Sequence, residues 1–152
     1  MLNEGDEAPY FKGLDQNGKS IELSDFSNKK LILYFYPKDD TPGCTKEACN
    51  LRDNYSDLIK NDFEVVGVSA DDSKKHIKFI NKYDLPFSLI ADTEKTVIGA
   101  YDCWGLKKFM GREYEGIHRK TFVIQNNKIL KIFEKVKTTD HYQQILDALH
   151  SA

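Results

Sequence analysis

The stretch Leu31-Ile32-Leu33-Tyr34-Phe35-Tyr36 constrains this chain more than any other. Apolar and aromatic residues follow one another there without a polar alternate, and Pro37 ends the run. A strand with one face in water alternates apolar and polar residues, so an unbroken run predicts a strand covered on both faces. Such a strand belongs in the middle of a layered sheet. The run is the longest apolar stretch of the chain and falls far short of the ~20 residues that cross a bilayer, which excludes a membrane-spanning role.

The flanking sequence supplies the layers. A hairpin is expected around Asn17-Gly18, a two-residue turn signal. Cys44, Ala48, Leu51, Tyr55 and Leu58 recur at helical spacing and share one face. Phe63 to Val68 reads as a second buried strand, Ser73 to Tyr83 as a helix with Ile77 and Ile80 inward, and Phe87 to Ile90 as a short strand. Asp92 can cap a short helix running to Tyr101, and Lys107-Lys108 read as a solvated loop. Thr121 to Ile124 and Lys128 to Phe133 form two strands joined at Asn126-Asn127, and Asp140 to Leu149 closes the chain as an amphipathic helix. The order predicts an α/β fold, a mixed central β-sheet flanked by helices with an N-terminal β-hairpin. With 152 residues and neither repeat nor linker, residues 1–152 are expected to form a single domain.

Charge narrows the partners. The 22 basic and 24 acidic residues nearly cancel, which argues against a nucleic-acid binder. The acidic start, Asn3-Glu4-Gly5-Asp6-Glu7, is no secretory signal, so a cytoplasmic location is expected. The three cysteines, Cys44, Cys49 and Cys103, are too few for a disulfide scaffold.

Cys44 and Cys49 sit where the first buried strand hands over to a helix. In α/β sheets, sites lie beyond the carboxyl ends of the strands. A thiol in the first helical turn meets unpaired N–H groups and the positive end of the helix dipole, and both favour the thiolate. Cys44 lies on the apolar stripe and can equally be read as a small core residue. Cys49 lies about 140° away around the helix, on the polar side, where a cysteine gains nothing from packing. Two such cysteines suggest a redox pair, although the Cys-x-x-Cys spacing of dithiol oxidoreductases is absent. His76, His118, His141 and His150 are dispersed and make no zinc-ligand pattern with the cysteines, so no metal is expected. Read alone, Thr41 is a helix cap, Pro37 a strand terminator, Arg119 a surface ion-pair partner, Glu47 a solvated helix charge and Cys103, before Trp104, a packed bystander.

Pro37, Thr41 and Cys44 form Pro-x-x-x-Thr-x-x-Cys, and Arg119 stands just before the strand Thr121-Phe122-Val123-Ile124. Together they resemble the peroxiredoxins, thiol peroxidases of the thioredoxin-like fold. Cys49 five residues after Cys44, Phe109-Met110-Gly111 and Gly116-Ile117-His118-Arg119 are similar to the bacterioferritin comigratory protein, or Q, subgroup. The resemblance runs from Gly5-Asp6-Glu7-Ala8-Pro9 to the last helix, and Cys103 is its one noted departure. It implies that the Cys44 thiolate attacks hydrogen peroxide or an organic hydroperoxide and becomes a sulfenic acid. Thr41 would hydrogen-bond peroxide and thiolate, Arg119 would stabilise the negative charge, and Pro37 would shield the pocket. Cys49 would resolve the sulfenic acid as an intramolecular disulfide, reduced again by thioredoxin or a similar dithiol. The resemblance further implies no metal, haem or flavin, and a monomer or weak dimer. The competing readings are a protein disulfide oxidoreductase, and a non-catalytic redox-sensing module on the same fold.

Overall fold

The computed structural model describes residues 1–150. The chain opens with the hairpin β1 (Lys12–Leu14) and β2 (Ser20–Glu22). Its turn contains Asn17-Gly18 but spans Asp15 to Lys19, wider than the two residues expected. Asp15 is the reason, because its Oδ1 accepts from the backbone N–H of both Asn17 and Lys19 and closes the larger loop. A 3-10 turn, Leu23–Phe26, leads into β3 (Lys30–Phe35). Then follow α1 (Pro42–Asp53), α2 (Tyr55–Lys60), β4 (Phe63–Ser69), α3 (Ser73–Tyr83), β5 (Ser88–Ala91) and α4 (Thr96–Ala100). A second hairpin, β6 (Trp104–Phe109) and β7 (Arg112–Ile117), precedes β8 (Lys120–Gln125), β9 (Lys128–Phe133) and α5 (His141–His150).

The central sheet has the order β5-β4-β3-β8-β9. Its β3, β4 and β5 are parallel, while β8 and β9 are antiparallel to their neighbours, so the sheet is mixed as expected. The central position of β3 explains its unbroken apolar run. Leu31, Leu33 and Phe35 face one core with Phe11, Ile21, Val97 and Tyr101 from the N-terminal segments and α4. Ile32, Tyr34 and Tyr36 face the other, with Leu51, Leu58, Phe79 and Ile145 from the helices. Period-2 geometry sends alternate side chains into two different cores, so neither set can be polar. Among the described residues no helix is long and apolar enough to cross a membrane.

Three local expectations differ from the structure. The helical stripe from Cys44 to Leu58 is split between α1 and α2 at Asn54, whose side chain turns back to donate to the Asn50 carbonyl. In α3 the inward residues are His76 and Phe79, whereas Ile77 is 39% exposed and Ile80 only partly covered. A histidine can hold a core position because both its ring nitrogens find partners. Lys107 and Lys108 lie in β6, in a two-stranded ribbon separate from the main sheet. That ribbon carries no apolar alternation. Its signal is the turn Met110-Gly111, both at positive φ, as a two-residue hairpin requires.

Gly67 on β4 lies directly opposite Tyr34 on β3. A Cβ there would stand 2.7 Å from Leu89 Cδ2 and 2.9 Å from both Cζ and the hydroxyl of Tyr34. The missing side chain is what lets the Tyr34 ring lie over the sheet and stack on Tyr36, with centroids 5.4 Å apart. Gly67→Ala is therefore expected to overpack this core and lower stability by about 1–3 kcal/mol in urea unfolding. An unchanged unfolding midpoint would mean that the Tyr34 ring has room to move.

Candidate active site

The loop between β3 and α1 is held by buried polar contacts. The Tyr36 hydroxyl donates to Asp39 Oδ1 at 2.6 Å, and His76 Nδ1 lies 2.7 Å from Asp39 Oδ2. His76 Nε2 meets the Ile90 carbonyl at 2.9 Å. The Asp39 N–H donates to Asp71 Oδ2 at 2.9 Å, and that oxygen also accepts from Ser69. These contacts tie the loop to the ends of β4 and β5. Asp40, at φ 58°, is anchored outside by Lys82 and the Tyr83 hydroxyl, each at 2.8 Å. Asp39, Asp71 and His76 place three potential metal-ligand atoms within 4.8 Å of one another. All three hydrogen-bond within this strut and so hold the loop.

The loop delivers the start of α1. Thr41 is the N-cap residue with extended backbone, but its side chain does not cap the helix. Its hydroxyl donates to the Lys38 carbonyl at 2.8 Å instead. Pro42 occupies the first helical position, where a missing N–H costs nothing. Cys44 is third, in the open N-terminal turn and almost fully buried. Pro37 directly follows Tyr36 beyond the end of β3 and is half-buried.

Arg119, just ahead of β8, joins these parts. Its Nη2 donates to Cys44 Sγ at 3.2 Å and its Nη1 to Glu47 Oε1 at 2.7 Å. Gly43 leaves room for this approach, since a Cβ there would stand 3.3 Å from Nη2. Burial works against the Arg119 charge, yet Glu47 and Cys44 outweigh it and hold the guanidinium above its ordinary pKa. The guanidinium is thus no surface ion-pair partner. Glu47, expected to be a solvated charge, is fully buried. Burial raises its carboxyl to about 7, against the pull of Arg119. The helical pattern misleads here because Glu47 stands between Cys44 and Ala48 on the covered face, where the Arg119 cation just ahead of β8 offsets its burial.

Further buried groups surround this triad. His141 Nδ1 donates to Gln144 Oε1, and its Nε2 accepts from the Thr121 hydroxyl at 2.8 Å. Burial pushes this imidazole down to about 4, so it is neutral near pH 7. Its Nε2 lies 3.7 Å from Glu47 Oε2, which has no hydrogen-bond partner among the described residues. The Tyr34 hydroxyl is likewise buried without a hydrogen-bond partner among the described residues, and burial with the charges of Glu47 and Cys44 raises its pKa well above normal. Lys107 reaches in from β6, its Nζ donating to the Ile117 carbonyl at 2.9 Å. Burial lowers its pKa, Arg119 repels it and Cys44 attracts it. Sequence reasoning missed Tyr34, His141 and Lys107, because only the tertiary fold brings them to this triad, and it misread Glu47, three residues after Cys44 on the same helix, because Arg119 lies far away in the chain.

All three cysteines are free thiols. Cys49 lies on the same unbroken helix as Cys44 and is half-buried. Burial raises its pKa while Arg52 opposes the rise. Ideal helix geometry puts the two Cα atoms roughly 8–9 Å apart. Cys103 is fully buried, its thiol facing the Tyr101 carbonyl at 3.4 Å, and burial pushes it up to about 12.

The fold and this cysteine–arginine pairing define a thiol-based redox protein of thioredoxin-like architecture. Residues 4–132 match the AhpC/TSA family, and the chain belongs to it, among the peroxiredoxins. It is 44% identical to the peroxiredoxin Bcp of Bacillus subtilis over 146 residues, covering 95% of this chain and 93% of the relative. It is 42% identical to that of Escherichia coli over 149 residues, covering 97% and 96%. A peroxiredoxin Q mutant from Xylella fastidiosa superposes with a TM-score of 0.91 at 29% identity, covering 99% of this chain and 97% of the other. A Xanthomonas campestris bacterioferritin comigratory protein, studied for alkyl peroxide reduction, does so at 0.88 and 29%, covering 99% and 97%.

Glu47 gives this site a titratable group. Between its ordinary value of 4.5 and about 7, the folded protein holds a proton that the unfolded chain has released. That contribution to stability is full below the ordinary value and is lost as pH rises through the window. Glu47→Gln removes the dependence. Denaturant unfolding at pH 5 and pH 8 should show wild type losing stability relative to the variant as pH rises; parallel behaviour would mean that Glu47 titrates normally.

Proposed function

We propose that this chain is a thiol peroxidase acting on hydrogen peroxide and organic hydroperoxides, with Cys44 as the attacking nucleophile and the chain serving as one catalytic domain. The observation that carries this reading is Arg119 Nη2 at 3.2 Å from Cys44 Sγ, at the open N-terminus of α1. A guanidinium and unpaired helix N–H groups favour the anionic sulfur and face the charge that develops on the departing oxygen.

In the first step the Cys44 thiolate attacks one peroxide oxygen. An S–O bond forms, the O–O bond breaks, and the other oxygen leaves as alkoxide or hydroxide and is protonated. Sulfur becomes a sulfenic acid. Thr41 gives its hydroxyl hydrogen to Lys38, so toward peroxide it presents an oxygen that accepts the peroxide O–H. Glu47 keeps Arg119 oriented, and Pro37 restricts water at the mouth. Cys49 then displaces the sulfenic hydroxyl as water and forms the Cys44–Cys49 disulfide, which thioredoxin or a similar dithiol reduces by exchange. Cys103, buried with its thiol strongly protonated, stays outside the cycle. We further infer a cytoplasmic monomer or weak dimer.

The test is peroxide consumption coupled to thioredoxin, thioredoxin reductase and NADPH. Cys44→Ser should fall to background, because a serine hydroxyl is not ionised near neutral pH. Cys49→Ser should reduce one equivalent of peroxide and then lose thioredoxin-linked turnover. Arg119→Met should slow the attack by about 10²-fold, and Cys103→Ser should change little. Near wild-type turnover in Cys44→Ser would end this assignment, and a tenfold loss in Cys103→Ser would bring Cys103 into the mechanism.

A disulfide needs roughly 4.4–6.8 Å between Cα atoms, less than an intact helix allows these two cysteines. The first turns of α1 must therefore unwind on oxidation. Hydrogen exchange should show amides 45–52 losing protection in the oxidised protein; equal protection, with the disulfide verified by mass spectrometry, would contradict the unwinding.

A further inference from the structure

Asn50 directly follows Cys49, and its side chain spans two elements. Nδ2 donates to the Thr139 carbonyl at 3.2 Å, and Oδ1 accepts from the Tyr142 backbone N–H at 2.8 Å. Tyr142 is the second residue of α5, so its N–H is one of those a helix start cannot satisfy internally. Asn50 thus caps α5 from a different helix. Its own carbonyl accepts from Asn54 Nδ2 at 2.8 Å, and the next residue, Leu51, is fully buried. The end of α1 is pinned at this point.

The two ends of the cysteine-bearing segment are held differently. At its start, Arg119 grips Cys44 Sγ and Glu47. Converting Cys44 to a neutral sulfenic acid weakens the bond to Sγ, so that grip depends on redox state. The Asn50 bonds involve only neutral groups and do not. Unwinding α1 far enough to bring Cys49 to Cys44 pulls on residue 50.

We propose that Asn50 is a positioning residue that sets how fast Cys49 reaches Cys44, and so divides each sulfenic acid between disulfide and overoxidation. This rests on the reading of Cys49 as the resolving cysteine. In one branch the Cys49 sulfur bonds to the Cys44 sulfur, the S–O bond breaks, and the hydroxyl leaves with the Cys49 proton as water. In the other the sulfenate attacks a second peroxide, whose O–O bond breaks. Sulfur is oxidised by two electrons to sulfinic acid and the peroxide is reduced to water or alcohol. The clamp slows the first branch and leaves the second untouched.

The test compares reduced wild type, Asn50→Ala and Asn50→Asp. The aspartate keeps an acceptor for Tyr142 and loses the donor to Thr139. Rapid quenching and mass spectrometry count Cys44–Cys49 disulfide and Cys44 sulfinic acid against time and peroxide dose, and single-turnover peroxide consumption gives the attack rate. One neutral hydrogen bond is worth roughly fivefold in an equilibrium constant. Asn50→Ala should therefore form the disulfide about 5- to 25-fold faster. The peroxide dose for half-conversion to sulfinic acid should rise in proportion, at an attack rate within twofold of wild type. Asn50→Asp should fall between. A general loss of folding would lower the attack rate, which this pattern excludes, and the aspartate variant decides if alanine unfolds the protein. Disulfide rates and sulfinic doses equal to wild type, or slower resolution, overturn the role of Asn50 alone. Absence of the disulfide from oxidised wild type overturns the resolving role of Cys49 and this proposal with it.

Discussion

The guanidinium of Arg119 is the contact on which the site depends. It touches Cys44 Sγ with one nitrogen and Glu47 Oε1 with another, and so fastens α1 to the segment just ahead of β8 at two successive helical turns. A fully buried carboxylate without that cation would face several kcal/mol of desolvation. The same cation without the carboxylate would swing freely beside the sulfur. The arrangement fixes guanidinium direction as well as charge, and in a site shielded from water direction decides how much of the field reaches the reacting atoms.

The strut behind the loop complements this. Tyr36, Asp39, His76, Asp71 and Ser69 join the ends of three parallel strands and the first turn of α3 into one hydrogen-bonded group. It holds the chain entering α1 while leaving α1 itself attached through Arg119, the buried face of Ala48 and Leu51, and Asn50. The division suits a site where one segment must be rigid during attack and must unwind afterwards. Rigidity is invested in the loop and the sheet, and the helix carries the contacts that let go.

Most of the sheet was legible because its inner strands β4, β3 and β8 are covered on both faces. An unbroken run such as Leu31–Tyr36 reads as a strand covered on both faces, and Asn126-Asn127 marks the β8–β9 turn by tolerating the positive φ that both residues adopt. The ends of α3 were legible for the same local reasons, while its inward face was not. Hydropathy assigns Ile77 inward, but the hydrogen bonds of His76 to Asp39 and Ile90 are non-local and leave no periodic trace. The β6–β7 ribbon escaped because its strands gain little from burial, with Leu106, Phe109 and Met110 largely exposed. At the site, Pro37, Thr41, Cys44, Cys49 and Arg119 were readable through a family pattern. Glu47 looked like an ordinary helix charge because the cation that justifies it lies 72 residues away in the chain.

The three cysteines show how environment separates identical side chains. Cys103 is enclosed in an apolar core with one carbonyl beside it, and burial keeps its proton on against the pull of Lys120. Cys44 is as deeply buried, but a guanidinium and an open helix end stand beside its sulfur in place of the carbonyl. Cys49 is only half-buried, with Arg52 as its neighbouring cation, and on an intact helix it lacks reach. Its chemistry depends on geometry that appears only when α1 opens, which is why the ties at the far end of that helix bear on a reaction taking place at its beginning.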